Sequence, residues 1–210
     1  LSNMNLSGFL SPSIGGLVHL IELDLSFNRL SQSIPKELGN CKNLEILTLN
    51  NNEFEGNISK ELGNLSSLTY LNICNNKLSG SLPEEIGNLS SLSDFIAYSN
   101  GFSGELPRSI GRLKKLKKFR VGENLISGSI PTEIGDCENM ELFGLAENKL
   151  TGNLPKEIGK LQNLTQLFLF SNQLSGIIPK ELVNCSNLQT IGLYQNNFVG
   201  RIPKELMSAK

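Results

Sequence analysis

Apolar residues return along this chain in one figure: they stand eight, five and three positions before an Asn and two positions after it, with polar residues between. Leu20, Leu23 and Leu25 lead to Asn28 and Leu30, and Leu164, Leu167 and Leu169 lead to Asn172 and Leu174. The Asn recurs at one fixed interval, at Asn28, Asn52, Asn76, Asn100, Asn124, Asn148, Asn172 and Asn196, and no insertion interrupts the series. Four positions after it stands Gly (Gly56 to Gly200), and seven after it usually Pro (Pro35 to Pro203), so one unit reads LxxLxLxxNxLxGxIPxxIGxL. The departures are few: Gln32 replaces the Gly, Ser59 replaces a Pro, and Met4 stands where an earlier Asn would be.

Each position has a physical role. Alternation in LxL predicts a short strand whose two apolar side chains point inward while their neighbours point outward. The Asn then turns the chain inward, where its amide both donates and accepts and so satisfies backbone groups of adjacent coils. Stacked at one corner, these side chains form an Asn ladder. The Gly takes a backbone conformation closed to other residues, and Pro fixes its own φ and removes an N–H where the coil turns. A single unit cannot bury its apolar corner alone. The units are therefore expected to stack into an α/β solenoid, with a parallel β-sheet on the concave face and short helical or 3-10 turns on the convex face. Residues 1–210 read as one array of about eight to nine repeats, roughly 40 Å long at ~4.8 Å per coil.

Charge changes little in this picture. The 19 Lys and Arg are balanced by 20 Asp and Glu, so the chain has no general bias toward nucleic acid or anionic membrane. It contains no run of about 18 apolar residues, and its start lacks the zones of a signal peptide, which places any targeting signal outside these residues. One stretch, GRLKKLKKFRVGEN from Gly111 to Asn124, looks locally like a basic amphipathic helix. Its Leu113, Leu116 and Phe119 nevertheless fall on the repeat frame. The stretch is therefore a coil entering a strand, with Lys114 and Lys115 on the convex side and Lys118 and Arg120 pointing out of the concave sheet.

Catalytic chemistry finds no foothold. His19, the single histidine, falls at a variable convex position; no Cys/His cluster has metal-ligand spacing, and neither G-x-S-x-G nor kinase signatures occur. Lys-Glu pairs such as Lys36-Glu37 and Lys156-Glu157 repeat at one convex position and read as solvated surface. No enzyme activity, metal or cofactor is implied. Cys41, Cys137 and Cys185 take a buried position that other repeats give to Leu. Four repeats separate the first two and two repeats the last two, which puts them about 20 and 10 Å apart, beyond the ~7 Å reach of a disulfide. Cys74, two before Asn76, is expected to project from the concave face as part of a polar surface, the alternative being a reactive thiol.

The outward concave positions carry the variation. Four before the Asn, the column runs Asp24, Thr48, Asn72, Ile96, Arg120, Gly144, Phe168, Gly192; two before, it runs Ser26, Asn50, Cys74, Tyr98, Gly122, Ala146, Phe170, Tyr194. Aromatic residues beside Gly144, Gly192 and Ala146 suggest a shallow apolar groove. The candidate ligand-binding residues are Lys118, Arg120, Tyr98, Phe168, Phe170 and Tyr194, with an anionic group of an extended peptide near Lys118 and Arg120. Against this stands a surface charge cluster of Lys118, Arg120 and Glu123. N-x-S/T sequons occur at Asn5, Asn57, Asn64, Asn88, Asn163 and Asn184, and Asn64, Asn88 and Asn184 are expected on the convex turn.

The segments NKLSGSLPEEIGNLSSL and NQLSGIIPKELVNCSNL resemble the plant-specific leucine-rich repeat, and the resemblance covers essentially the whole chain. MNLSGFLSPSIGGLVHLIELDLS and wording of the IGNCxNLxxL kind are similar to ectodomains of plant leucine-rich-repeat receptor-like kinases. The resemblance implies a right-handed superhelix on the extracellular side of the plasma membrane within a single-pass parent, a secreted peptide ligand and a leucine-rich-repeat co-receptor. Related receptors meet peptide termini or sulfated tyrosines with paired basic residues or an Arg-x-Gly-Gly motif; here Arg120-Val121-Gly122-Glu123 departs from it at Glu123. The cysteine-containing caps of the family are absent, so an internal piece of a longer ectodomain is expected. A soluble inhibitor of a cell-wall hydrolase, or a truncated product without an independent role, are the alternative readings.

Overall fold

The structure, a computed structural model, describes residues 1–204. Eight parallel strands form the concave sheet, one per repeat: Glu22–Asp24, Ile46–Thr48, Tyr70–Asn72, Asp94–Ile96, Lys118–Arg120, Leu142–Gly144, Gln166–Phe168 and Thr190–Gly192. We number the repeats 1 to 8 by these strands. Their register is the sequence period itself, with Leu23 opposite Leu47, Leu47 opposite Leu71, and Phe119 between Phe95 and Phe143. Like therefore stacks on like. Phe95 and Phe119 lie 5.3 Å apart in the core, and Phe119 and Phe143 lie 6.2 Å apart.

The convex side consists of eight 3-10 helices of five residues each, from Pro12–Gly16 to Lys180–Asn184, as the sequence leads one to expect. Each packs on the next, and in seven of them a Gly makes this possible. A Cβ at Gly15, Gly39, Gly63, Gly111, Gly135 or Gly159 would come within 2.3–2.6 Å of a Glu carbonyl oxygen in the following coil, and one at Gly87 within 2.5 Å of Ser109. This is the reason for the second Gly of the repeat, to which the sequence pattern alone assigned no role.

A second parallel sheet was not expected. Its strands follow the ladder Asn, seven of them in order from Ser7–Phe9 to Lys149–Leu150, with a further pair at Ser175–Gly176 and Asn197–Phe198. Here partners stand two positions short of a full period, as in Glu55 opposite Lys77 and Ser127 opposite Lys149. The stagger of two is an even number, so inward side chains still face inward. It sets Gly56 opposite Leu78 and Gly104 opposite Ile126. The Gly, at φ of 73–84° from Gly56 onward, makes a left-handed turn at or close to the end of each strand. Gln32, which replaces it once, adopts the same conformation at φ 64°.

The Asn ladder forms as the amide chemistry requires. Asn124 accepts from the Phe102 N–H at 3.0 Å and donates to the carbonyls of Ala97, Val121 and Gly122 at 3.1, 3.1 and 2.9 Å. Every other ladder Asn repeats this set between its own coil and the preceding one, as Asn52 does with Leu30, Leu25, Leu49 and Asn50. The turn itself belongs to the residue before the Asn: Phe27, Asn51, Asn75, Ser99, Glu123, Glu147, Ser171 and Gln195 are all left-handed, at φ 52–55°.

Cys41, Cys137 and Cys185 are buried and free, as expected, and each thiol also lies 3.2–3.4 Å from a carbonyl oxygen of the preceding coil. Burial pushes the Cys137 thiol up to about 12 and the Cys185 thiol to about 11, so both stay protonated near neutral pH. Leu17, at the same position in the first described coil, is 53% exposed, unlike its fully buried counterparts Leu65, Leu89, Leu113 and Leu161.

Candidate functional site

The strands of the concave sheet aim alternate side chains at solvent, so its surface is set by the columns between the buried Leu and Phe residues. In repeats 1 to 3 this surface closes on itself. Asp24 accepts from the Ser26 backbone N–H at 2.9 Å and from its hydroxyl at 2.6 Å, and Ser26 is only 4% exposed. Asn72 accepts from the Cys74 N–H at 3.3 Å. Cys74 itself is buried, which corrects the expectation that it belongs to an open polar surface. The half-buried phenol of Tyr98, from the next repeat, hydrogen-bonds to it. Burial pushes the Cys74 thiol up, and the Tyr98 hydrogen bond and the Arg120 charge offset only part of that; the same hydrogen bond, with burial, raises the Tyr98 phenol. Asn50 Oδ1 is buried with no hydrogen-bond partner, alone in this among the side-chain polar atoms of the described residues.

From repeat 4 onward the columns open. Arg120 extends over the Tyr98 ring, its guanidinium carbon 4.8 Å from the centroid, and has no carboxylate within ion-pair distance among the described residues. Across the sheet, Phe168 and Phe170 meet edge-on at 6.5 Å, and Phe170 stacks on Tyr194 at 4.7 Å with the planes 4° apart. Between these walls Gly122, Gly144 and Ala146 leave a groove of about 360 Å³, lined by Tyr98, Arg120, Phe168 and Phe170 and edged by Glu123 and Glu147.

Four of the six candidate ligand-binding residues thus converge: Tyr98, Arg120, Phe168 and Phe170. Tyr194 supports the groove from behind Phe170 and is 61% exposed. Lys118 is not part of it, because its Nζ pairs with Asp94 Oδ1 at 3.2 Å on the neighbouring strand. Glu123 accepts a short hydrogen bond from the Ser99 hydroxyl and forms no ion pair with Lys118 or Arg120, although it borders the groove with Arg120. Glu147 was missed in the sequence; its signal is that it occupies the same position before the ladder Asn as Glu123.

Several other basic side chains around it are matched by neighbouring coils. Arg108 pairs with Glu133, Lys117 with Glu141, and Lys114 donates to the Asp136 carbonyl. His19 is exposed, as its convex position predicts. The six sequon asparagines are all exposed. Asn163 differs from the others in that its amide donates to the Glu138 carbonyl at 3.0 Å, one of a convex series with Asn43, Asn139 and Asn187. Among the described residues no helix is long and apolar enough to cross a membrane, and no group of His, Cys, Asp and Glu is arranged to hold a metal ion.

Residues 26–199 match the family of leucine-rich repeat regions. No curated protein gives a match. Among solved structures, the chain is 40% identical to the Arabidopsis receptor kinase HAESA, captured with the peptide hormone IDA and the co-receptor SERK1, with a TM-score of 0.91 over 94% of this chain and 33% of that one. It is 36% identical to PEPR1 in its complex with AtPEP1 (TM-score 0.83, 100% of this chain and 33% of that one). It is 34% identical to the plant peptide hormone receptor RGFR1 in complex with RGF2 (TM-score 0.80, 98% of this chain and 37% of that one). The chain therefore spans about a third of the length of the receptors it resembles.

Proposed function

We infer that this chain, which belongs to the leucine-rich-repeat family, is the ligand-recognition part of an extracellular plant receptor-kinase domain and binds an extended peptide along its concave face. One observation carries the reading. In repeats 4 to 8 the concave surface holds an aromatic groove and, at one wall, a cation with no ion-pair partner among the described residues, and the groove lies on the face that a solenoid presents to partners. Arg120 suits a carboxylate of the peptide, since a guanidinium without an acidic partner gains a charge-assisted hydrogen bond on binding one. Phe168, Phe170 and Tyr194 suit apolar side chains.

The likeness to receptors solved with peptide hormones supports the same reading, and the SERK1 complex of HAESA supports a leucine-rich-repeat co-receptor as second partner. A kinase domain belongs to the parent in this account and not to these residues. The exposed sequons, Asn64, Asn88 and Asn184 among them, fit passage through the secretory pathway and lie at the ends of convex 3-10 helices, away from the groove.

Selection from a randomised peptide library of about ten residues, long enough at ~3.3 Å per residue to cross seven strand spacings, tests the proposal. We expect binders whose affinity falls about tenfold or more on Arg120→Ala and on Phe168→Ala. A library that returns no binder, or binders indifferent to both substitutions, overturns it.

A further inference from the structure

Two glycines open gaps in the column four positions before the ladder Asn, and only one gap is empty. At Gly192 a Cβ would meet Phe170 Cδ1 at 3.2 Å and Phe168 Cδ1 at 3.5 Å, so the protein's own rings fill the space. At Gly144 the nearest atoms are Leu142 Cδ2 at 3.4 Å, Arg120 Cγ at 3.8 Å and the Phe119 carbonyl oxygen at 3.8 Å, and no ring reaches it. The side chains on either side lean away. Arg120 lies over Tyr98 on the side of repeat 4, and Phe168 leans toward Gly192 on the side of repeat 8. Arg120 and Phe168 stand on strands two spacings apart, roughly 10 Å, so a ring centred between them lies ~5 Å from each strand's side chain, within reach of a cation–π contact on one side and an aromatic contact on the other.

We propose that the gap above Gly144 is a specificity-determining subsite that takes one aromatic side chain of the peptide, its ring held between Arg120 and Phe168. The inference rests on the peptide-binding reading above. An aromatic ring suits the place better than an aliphatic group of equal size, because the guanidinium gains from the ring's negative face and Phe168 offers it an aromatic partner. Glu123 and Glu147 at the edge set a second condition. Their carboxylates repel an acidic group on the ring, so the subsite takes an unmodified Phe, Tyr or Trp and disfavours a sulfated or phosphorylated tyrosine. Gly144 is the determinant, since any side chain there would stand in the gap from within.

The test selects peptides from the randomised library against the wild-type chain and measures them on Gly144→Leu. No positive φ constrains Gly144, and its Cβ would make only ordinary contacts, so the strand is retained and the urea midpoint verifies this. Gly144→Ala is measured alongside, in case Leu disturbs the strand. Expected are binders with an aromatic residue at one fixed position, about tenfold weaker when that residue is Leu or sulfotyrosine, about tenfold weaker on Gly144→Leu and about threefold weaker on Gly144→Ala. Binders without a fixed aromatic residue that bind both variants unchanged overturn the subsite and leave the peptide reading standing. A library without binders overturns the peptide reading, and this inference with it.

Discussion

Repeats 1 to 3 and repeats 5 to 7 of the concave sheet share one strand length and one register, yet their outward surfaces differ in kind. In the first set small polar side chains satisfy one another: Asp24 holds Ser26, Asn72 holds the Cys74 backbone, and Tyr98 closes over the thiol. In the second, long and aromatic side chains alternate with glycine, and the backbone lies open between them. Both sets rest on the same Asn ladder and the same apolar core. Polar outward residues are thus no sign of an available surface, and the side chains that matter for binding are those the neighbouring repeat does not cover.

The most severe way to break this contrast is at the ladder, which should be indifferent to it. Asn52→Ala and Asn124→Ala each orphan one backbone N–H between coils, that of Leu30 or Phe102, and remove three amide donations to carbonyls that keep a second donor, so each should cost about 3 kcal/mol in urea unfolding, alike in the closed and the open half. A difference beyond about 1 kcal/mol would mean that the two halves differ in more than their surfaces. Next in size is a comparison of glycines. Gly135→Ala drives a methyl within 2.5 Å of the Glu157 carbonyl and should cost about 2 kcal/mol, whereas Gly144→Ala on the open face should stay within about 0.5 kcal/mol. Equal costs would show that Gly144 is structural and not a gap kept for a ligand. The smallest effect lies at the border of the two halves. Asp94→Asn removes the partner of Lys118 and should change stability by less than about 1 kcal/mol while raising the affinity of an acidic peptide about threefold at low salt. No gain would mean that Lys118 stays outside the binding face even when unpaired.

Much of this was legible in advance. The inward Leu and Phe positions, the ladder Asn, the left-handed Gly and the convex turns all follow from a repeated figure whose every element has a local chemical reason. The Asp94–Lys118 pair is also written in the sequence, one period apart, but only a reader who aligns adjacent outward columns finds it. Cys74 was misplaced because the position two before the ladder Asn points out of the sheet; its burial depends on contacts between coils, and Tyr98, at the same position of the next repeat, is one of them. The second sheet was invisible for a related reason. Its register falls two positions short of the sequence period, since it arises from how successive coils are staggered.

The sequence by itself determined the solenoid, because a repeated pattern that can bury its apolar corner only by stacking leaves the chain one way to fold. Only the tertiary structure decided which outward side chains remain open. Lys118 turned to Asp94, Arg120 lay over Tyr98, and Phe168 and Phe170 filled Gly192 while leaving Gly144 empty. These outcomes depend on contacts between coils, where a side chain's reach and rotamer, and not its place in the repeat, select the partner.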